Sequence, residues 1–470
     1  MRIIIDYSHS SLYKEIYEKI KNKILTKELQ THEKLPPKRK LAVRLKVSVN
    51  TIMKAYDQLL TEGYIYSLER SGYYVEEVSR LLSDRKTYKE LDDIIKESNN
   101  DTKNYMYSLS HMDTNISKFP FSEWKKCKQK AFKNHKQELS RVTQRQGLLS
   151  VREALVKMIK DHRKISCIPE QIVLGVGAQS LIEQLLNILI GENYVSLGVE
   201  DPGYTRLYNL LKHLNVKFSP IKLDDKGLSV EKLKKTSSNI AFVTPSHQFP
   251  TGIIMPVSRR TELLNWAASN LNNYIIEDDY DSEFKYKTGH IPPLINLDKN
   301  EKVIYLGSFS KTLLPSFRIS YMILPKHLVI PYRERYSYLI PENNTLSLLT
   351  LKYFLETGAY NRHVKRMTYH YDKIRNKLIL EIKNTFHSNV IVHDSLAGLH
   401  FVLDFFTTKS YAQIETNADY EGVELYTLRR FSINKLNHKN NVKTIIVGFA
   451  TVREFEIKHI TEKLYRIIYN

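Results

Sequence analysis

Residues 301–322 read EKVIYLGSFSKTLLPSFRISYM. The apolar runs VIYLGS and RISYMIL have the length and β-branched or aromatic content of strands. Between them lies a Ser-rich turn that carries Lys311, and Arg318 opens the second run. A lysine in a buried turn loses hydration, which disfavours its ammonium form and leaves an amine that attacks carbonyl carbon near neutral pH. Ser308, Ser310 and Arg318 supply hydroxyl and guanidinium donors around it, a set suited to an oxyanion.

Working outward, short apolar runs alternate with helical segments: IVLGVG before AQSLIEQLLNIL, then AFVTP, then YIIEDD. That alternation predicts a large α/β domain with a mostly parallel sheet. Three further segments carry polar residues at strand ends. In YIIEDDYDSEF, Asp278 and Tyr280 are two apart and point the same way in extended chain. In IVLGVGAQS, a strand and a glycine turn deliver the backbone N–H groups of Ala178 and Gln179 to a helix start, where anions bind, and Gly175 and Gly177 permit close approach. The fourth segment, EDPGYTRLY, contains Tyr204 and Arg206.

These four segments, in this order, resemble the fold-type I aminotransferases, which use pyridoxal 5'-phosphate. The resemblance implies roles for the matching positions. Lys311 is the Schiff-base lysine, Asp278 keeps the pyridinium nitrogen protonated, Tyr280 reaches the ring oxygen and Tyr204 stacks on the ring. Ala178, Gln179, Ser308, Ser310 and Arg318 hold the phosphate.

The first 78 residues have a different pattern. Leu12, Ile16, Ile20 and Ile24 form one helical stripe, Pro36 and Pro37 stop it, and KRKLAVRL restarts a short helix with Leu41, Ala42 and Leu45 inward. Ser48 is placed to cap VNTIMKAYDQLLTEG, whose inner face is Ile52, Ala55 and Leu59 and which Gly63 ends. Two short helices about such a turn form a helix-turn-helix. Tyr64 and Tyr66, with Tyr73 and Val75 beyond a turn that contains Arg70 and Gly72, predict a two-stranded wing. No acid lies between Lys34 and Lys54, a span that includes Lys38, Arg39, Lys40, Arg44 and Lys46. Phosphate contacts of such residues dominate non-specific DNA affinity. The string KLPPKRKLAVRLKVSVNTIMKAYDQLLTEGYIYSLERSGYYV resembles the GntR-type winged helix-turn-helix. The implied DNA contacts are Lys38, Arg39, Ser48, Val49, Asn50, Thr51, Lys54, Arg70 and Gly72. Val49 stands where the family usually has Arg, and Pro37 where many members have Ser.

Bulk properties agree with two folded units. The chain has 470 residues, 42% of them hydrophobic, and a formal net charge of +20 that favours an anionic partner. Residues 1–80 hold 15 Lys and Arg against 10 Asp and Glu, so the charge is not confined to the head. Only Cys127 and Cys167 occur, without CxxC spacing or a His cluster, which points away from disulfides and metal sites and towards a reducing cytoplasm. No secretory leader or membrane span is evident. The expected organisation is a head at 1–78, a polar linker at 79–104 and a cofactor- and effector-binding domain at 105–470.

Taken whole, the chain resembles the MocR branch of GntR regulators, in which an aminotransferase-like domain follows an α+β DNA head. TPSHQFPTGIIMPVSRRTELLNWAA, SFSKTLLP and RISYM bring it nearest the γ-aminobutyrate-responsive, GabR-type members. That likeness implies a head-to-tail homodimer, activation of catabolic genes and repression of the regulator's own gene. It also implies that the effector amine takes the cofactor from Lys311 while Arg206 and Arg430 hold its carboxylate, with Arg429 the alternative to Arg430. Lys118 stands in KFP where that type has His. Two departures from working aminotransferases argue for a sensor rather than an enzyme. His247, Gln248 and Phe249 precede Pro250 where those enzymes supply an Asn, and Thr444, Ile445 and Ile446 occupy the late strand where they carry an Arg for the α-carboxylate. The alternatives are a regulator of vitamin B6 synthesis that senses the cofactor itself, and an active aminotransferase carrying a DNA head.

Overall fold

The computed structural model describes residues 11–78, 104–190, 195–286, 291–394, 397–434 and 441–470. The chain divides into two compact units, Met1–Lys103 and Asn104–Asn470. Apart from Asn104, the expected linker at 79–104 lies outside the described residues.

In the first unit, helices α1 (Leu12–Leu25), α2 (Lys38–Arg44) and α3 (Val49–Thr61) precede a hairpin of β1 (Ile65–Leu68) and β2 (Gly72–Val75). The stripe of α1 is buried at Ile16, Ile20 and Ile24, against Leu41, Ala42 and Leu45 of the second helix region and Ile52, Ala55, Tyr56 and Leu59 of α3. Lys46 takes a left-handed φ of 50° in the turn, and Ser48 Oγ caps α3 by accepting from Thr51 N at 3.1 Å. The hairpin differs in register from the sequence reading. Ile65 pairs with Val75 as the buried couple, so Tyr66 and Tyr74 stack on the other face at 5.7 Å and Tyr64 precedes the strand. The strand period of two makes that one-residue offset exchange the faces.

The second unit is built on a sheet of eight strands in three layers. Taken in chain order, they are β3 (Ile172–Gly175), β4 (Ser196–Asp201), β5 (Lys217–Asp224), β6 (Gly227–Leu228), β7 (Ile240–Val243), β8 (Tyr274–Asp279), β9 (Val303–Ser308) and β10 (Ser320–Ile323). Their spatial order is β3-β10-β9-β8-β7-β4-β5-β6. The run from β9 to β5 is parallel, whereas β10 lies antiparallel to both β9 and β3. Strands β3, β4, β7, β8 and β9 therefore end at one edge of the sheet, the edge where ligands collect in open α/β sheets. Burial on both faces explains their unbroken apolar runs, such as Ile275 and Ile276 in β8. A smaller four-stranded antiparallel sheet follows, made of Val390–His393, His400–Phe406, Tyr426–Thr427 and Val442–Gly448, and it packs on the 28-residue helix Ala359–Phe386 and the final helix Ile457–Tyr469.

Candidate functional site

The sheet edge forms one cleft. Its lining includes Ala178 and Gln179, Tyr204 and Arg206, Thr244, Asp278 and Tyr280, and Ser308, Ser310, Lys311 and Arg318. These residues come from the ends of five different strands and the segments that follow them, so the topology itself assembles what the sequence scatters.

Lys311 follows β9 and reaches across the cleft to donate to the carbonyl of His111. Burial lowers its pKa to about 8, with Arg206 acting in the same direction and Asp281 and Asp113 opposing. Opposite stands Asp278, whose carboxylate accepts no hydrogen bond from the described residues and whose pKa burial pushes up to about 7, with further contributions from Asp279, Asp281 and Glu200. Neighbouring Asp279 differs: it pairs with the buried Arg163 and accepts from Tyr305 at 2.5 Å. A buried carboxylate next to a neutralised one, itself left unpaired, is a site for a cationic ligand atom.

At the other end of the cleft, the helix Ala178–Ile190 points its N-terminus inward. Ser308 Oγ donates to Ser310 Oγ at 3.0 Å and accepts from Ser310 N at 3.1 Å. Gly177 is required here. Its φ is +129°, and a Cβ would lie 2.3 Å from Nη2 of Arg318. The glycine thus admits a guanidinium to the helix terminus, and together they make an oxyanion cradle.

Arg206 lines the cleft beside Tyr204, but Arg430 does not. The backbone of Arg430 is anchored to the lip, where its carbonyl accepts from Thr205 Oγ1 at 2.9 Å and Gly203 N donates to Phe431 O at 2.9 Å. Its guanidinium instead lies 3.6 Å from Glu415 and 5.3 Å above the Tyr426 ring, and Arg429 also meets Glu415, at 2.8 Å. The pairing of Arg206 with Arg430 is therefore not formed in this arrangement, because Glu415 competes for both arginines. Thr444 donates to Asp404 at 2.5 Å, and Ile445 and Ile446 are in the core, so the late strand presents no cation to the cleft.

Residues that sequence reasoning missed come mainly from the segment 107–113. His111 and Met112 line the cleft, and Nδ1 of His111 is buried without a partner among the described residues. Burial, Lys311 and Arg206 hold its pKa down at about 3, so the imidazole is neutral. Nothing in the spacing of LSHMDT signals this, because the segment sits 200 residues from Lys311. Thr244 could have been found from its place at the end of AFVTP.

In the head, Arg39, Ser48, Val49, Asn50, Lys54 and Arg70 are exposed, whereas Lys38, Thr51 and Gly72 are half-buried. Lys38 lies 4.8 Å above the Tyr73 ring and 3.6 Å from Asp57. Arg70 and Gly72 both take positive φ at the wing tip, 59° and 117°.

Residues 12–75 match the family of bacterial regulatory proteins of the gntR family, and residues 108–404 match the aminotransferase class I and II family. The uncharacterized HTH-type transcriptional regulator YdeL of Bacillus subtilis is 35% identical, with 96% of each chain covered. The probable rhizopine catabolism regulatory protein MocR of Rhizobium meliloti is 27% identical over 94% of this chain and 90% of that protein. The chain belongs to the MocR-type regulators. Its large domain has the fold of solved aminotransferases, such as the kynurenine aminotransferase of Pyrococcus horikoshii, with a TM-score of 0.67 and 21% identity over 81% of this chain and 93% of that one.

MocR-type regulators depend on pyridoxal phosphate, and the cleft of this one fits that group. Asp278 is a buried carboxylate, unpaired among the described residues, for a ring N–H⁺, Lys311 is an amine with a depressed pKa, and Arg318, the serines and the helix terminus offer donors to an anion. Among the described residues, no helix is long and apolar enough to cross a membrane.

Proposed function

We propose that this MocR-type regulator senses an amino-acid effector, γ-aminobutyrate, and uses its aminotransferase-like domain as a switch rather than for turnover. The observation that carries the reading is the cation distribution. Arg206 faces the cleft that holds Lys311, whereas the late strand offers Thr444, Ile445 and Ile446. An α-amino acid lacks its usual carboxylate partner there, a loss of about 1.5–3 kcal/mol for a charge-assisted hydrogen bond. A γ-amino acid carries its carboxylate farther from the amine and suits an arginine at the lip.

Pyridoxal phosphate, when bound, would supply an aldehyde that reacts with amines such as that of Lys311. The chain's own residues do the rest. Asp278 would hold the ring N–H⁺, while Ser308, Ser310, Arg318 and the Ala178–Gln179 amides would hold the phosphate. Tyr204 would cover a ring face, Tyr280 would meet the ring oxygen, and Arg206 would take the effector carboxylate. Arg430 completes the clamp by leaving Glu415 for that carboxylate, a short swing because its backbone is already fixed at Thr205. Such an exchange distinguishes liganded from unliganded states, which is what a ligand needs to shift an equilibrium.

In this reading the regulator is a head-to-tail homodimer in the cytoplasm, the heads bind operator DNA through the exposed residues of α3 and the wing, and the bound effector activates catabolic genes while the regulator represses its own. The test is titration of γ-aminobutyrate into cofactor-loaded protein, followed by visible absorption and operator binding. The expected result is a saturable band change that stops without keto-acid-dependent turnover. A silent titration overturns γ-aminobutyrate as effector and favours sensing of the cofactor alone, and sustained turnover identifies an enzyme.

A further inference from the structure

Against Tyr280, which lines the cleft, packs a buried cluster with no role so far: His247, Asp281 and His400, each about 2% exposed. His247 Nδ1 lies 2.9 and 3.1 Å from the two Asp281 carboxylate oxygens and 3.1 Å from the Tyr280 hydroxyl. One nitrogen faces both partners, so its protonation state decides the direction of both bonds. A carboxylate only accepts, which places the proton on Nδ1. The Tyr280 oxygen, facing the same N–H, then accepts too, and its own proton turns away from the imidazole into the cleft.

The packing leaves little freedom to alter this. The His247 ring stacks on Tyr280 at 6.0 Å and 19° and touches His400 at 4.7 Å. Gly398, with φ +79°, closes the cluster, since a Cβ there would lie 2.2 Å from Asp281 Oδ2 and 2.4 Å from the His247 ring. His400 Nε2 is engaged with Pro250 O at 3.1 Å.

The neighbours in the same turn offer no substitute donor. Gln248 gives its amide to Glu200 and Pro202 O, both at 3.1 Å, and accepts from Thr251, while Phe249 contributes only a ring. We propose that Asp281 and His247 are positioning residues that aim the Tyr280 hydroxyl proton at the ring oxygen of bound pyridoxal phosphate, a place that the turn's own amide, Gln248, does not serve. This rests on the cofactor assignment above.

Other groups facing the cluster agree with it. Tyr280 is held protonated by burial and by Asp281, Asp278, Glu200 and Asp279, so it remains a donor. His400 is kept neutral by burial, with His247 and His111 adding to the effect and Asp281 opposing. A hydroxyl that accepts one hydrogen bond donates a stronger one.

The experiment is a pH titration of the visible band of full-length, pyridoxal-phosphate-loaded protein. A donor on the ring oxygen competes with the Schiff-base proton for that oxygen, so losing the donor raises the midpoint. We expect His247→Phe, which keeps the stacking, to raise it by ~0.7 pH unit, the size of one ordinary hydrogen bond. Tyr280→Phe should raise it at least as far, and the double variant no further than Tyr280→Phe alone. His247→Gln, whose amide still donates, should stay within ~0.3 unit of the unaltered protein. An unmoved midpoint in His247→Phe, or a shift that adds to that of Tyr280→Phe, overturns the proposal. If His247→Phe does not fold, His247→Gln decides, and a shift as large as that of Tyr280→Phe overturns it. An unaltered protein with no visible band would instead remove the cofactor assignment, and this proposal with it.

Discussion

The head displays its candidate contacts on an already complete core, whereas the cleft builds its candidates into the core itself. Arg39, Asn50, Lys54 and Arg70 are exposed around helices closed by Ile16, Ile20, Ile52 and Leu59. Asp278, Glu200, Asp281 and His247 are buried at the ends of strands whose remaining side chains are the core. The first arrangement lets recognition change at little cost in stability. The second stores a cost in unpaired and crowded charge that a ligand can relieve, which makes the large domain responsive.

The sharpest test of that contrast is Lys311→Ala. It should abolish the visible band and every effector response, because no other amine lines the described cleft, while operator affinity of the cofactor-free protein stays within ~2-fold, as for sites in separate units. Gel shift and absorption on the same preparation check both halves, and a large loss of bare DNA binding would break the comparison.

The second test is the stored charge. Glu200, Glu277, Asp278 and Glu283 all have pKa values raised to about 7, primarily by burial. Between the ordinary value near 4 and about 7, these four groups bind more protons folded than unfolded, so their contribution falls as pH rises, by about 1.4 kcal/mol per group per unit of pKa difference as an upper bound, while His111, His363 and His400, held neutral by burial, oppose it up to about 6.5. Lys311 acts only above its value of about 8, where its deprotonation favours the folded state as pH rises. The melting temperature of the cofactor-free protein should therefore drop most clearly from pH 6.5 to pH 7.5, where the histidines no longer oppose the carboxylates. Cofactor should flatten that drop, because a ring N–H⁺ pairs with Asp278.

A smaller effect is expected in the head. Lys54→Ala should lower operator affinity about equally across sequences and reduce the salt slope by ~1, with the cofactor band unchanged. The smallest concerns the lip. Glu415→Gln removes the competitor for Arg429 and Arg430 and should tighten effector binding by ~3-fold, within the range of a partly exposed ion pair. Weaker binding would show that Glu415 organises the lip instead.

Much of this arrangement was legible in sequence, for identifiable reasons. The four-residue stripe of α1, the Ser48 cap and the strand, Ser-rich turn and lysine of 303–311 are local patterns governed by local geometry. Asp278 and Tyr280, two apart, do face one cleft. The approach of His111 to Lys311 was not legible, since it arises where residues 107–108 pair with 423–424, a contact that no local period encodes. Nor was the Arg430 side chain, whose direction is set by Glu415 on the neighbouring helix. The wing register shifted by one residue because aromatic residues occupy both faces there.

Gly177 has a consequence for genetics. Its missing side chain is what allows Arg318 to sit at the helix terminus, so a single added methyl, Gly177→Ala, evicts the guanidinium from the cradle while Lys311, Asp278 and the head keep their places. Such an allele would be deaf but not mute: a regulator that still occupies its promoters and no longer hears the cell, which lets the effect of occupancy be scored apart from the effect of the signal.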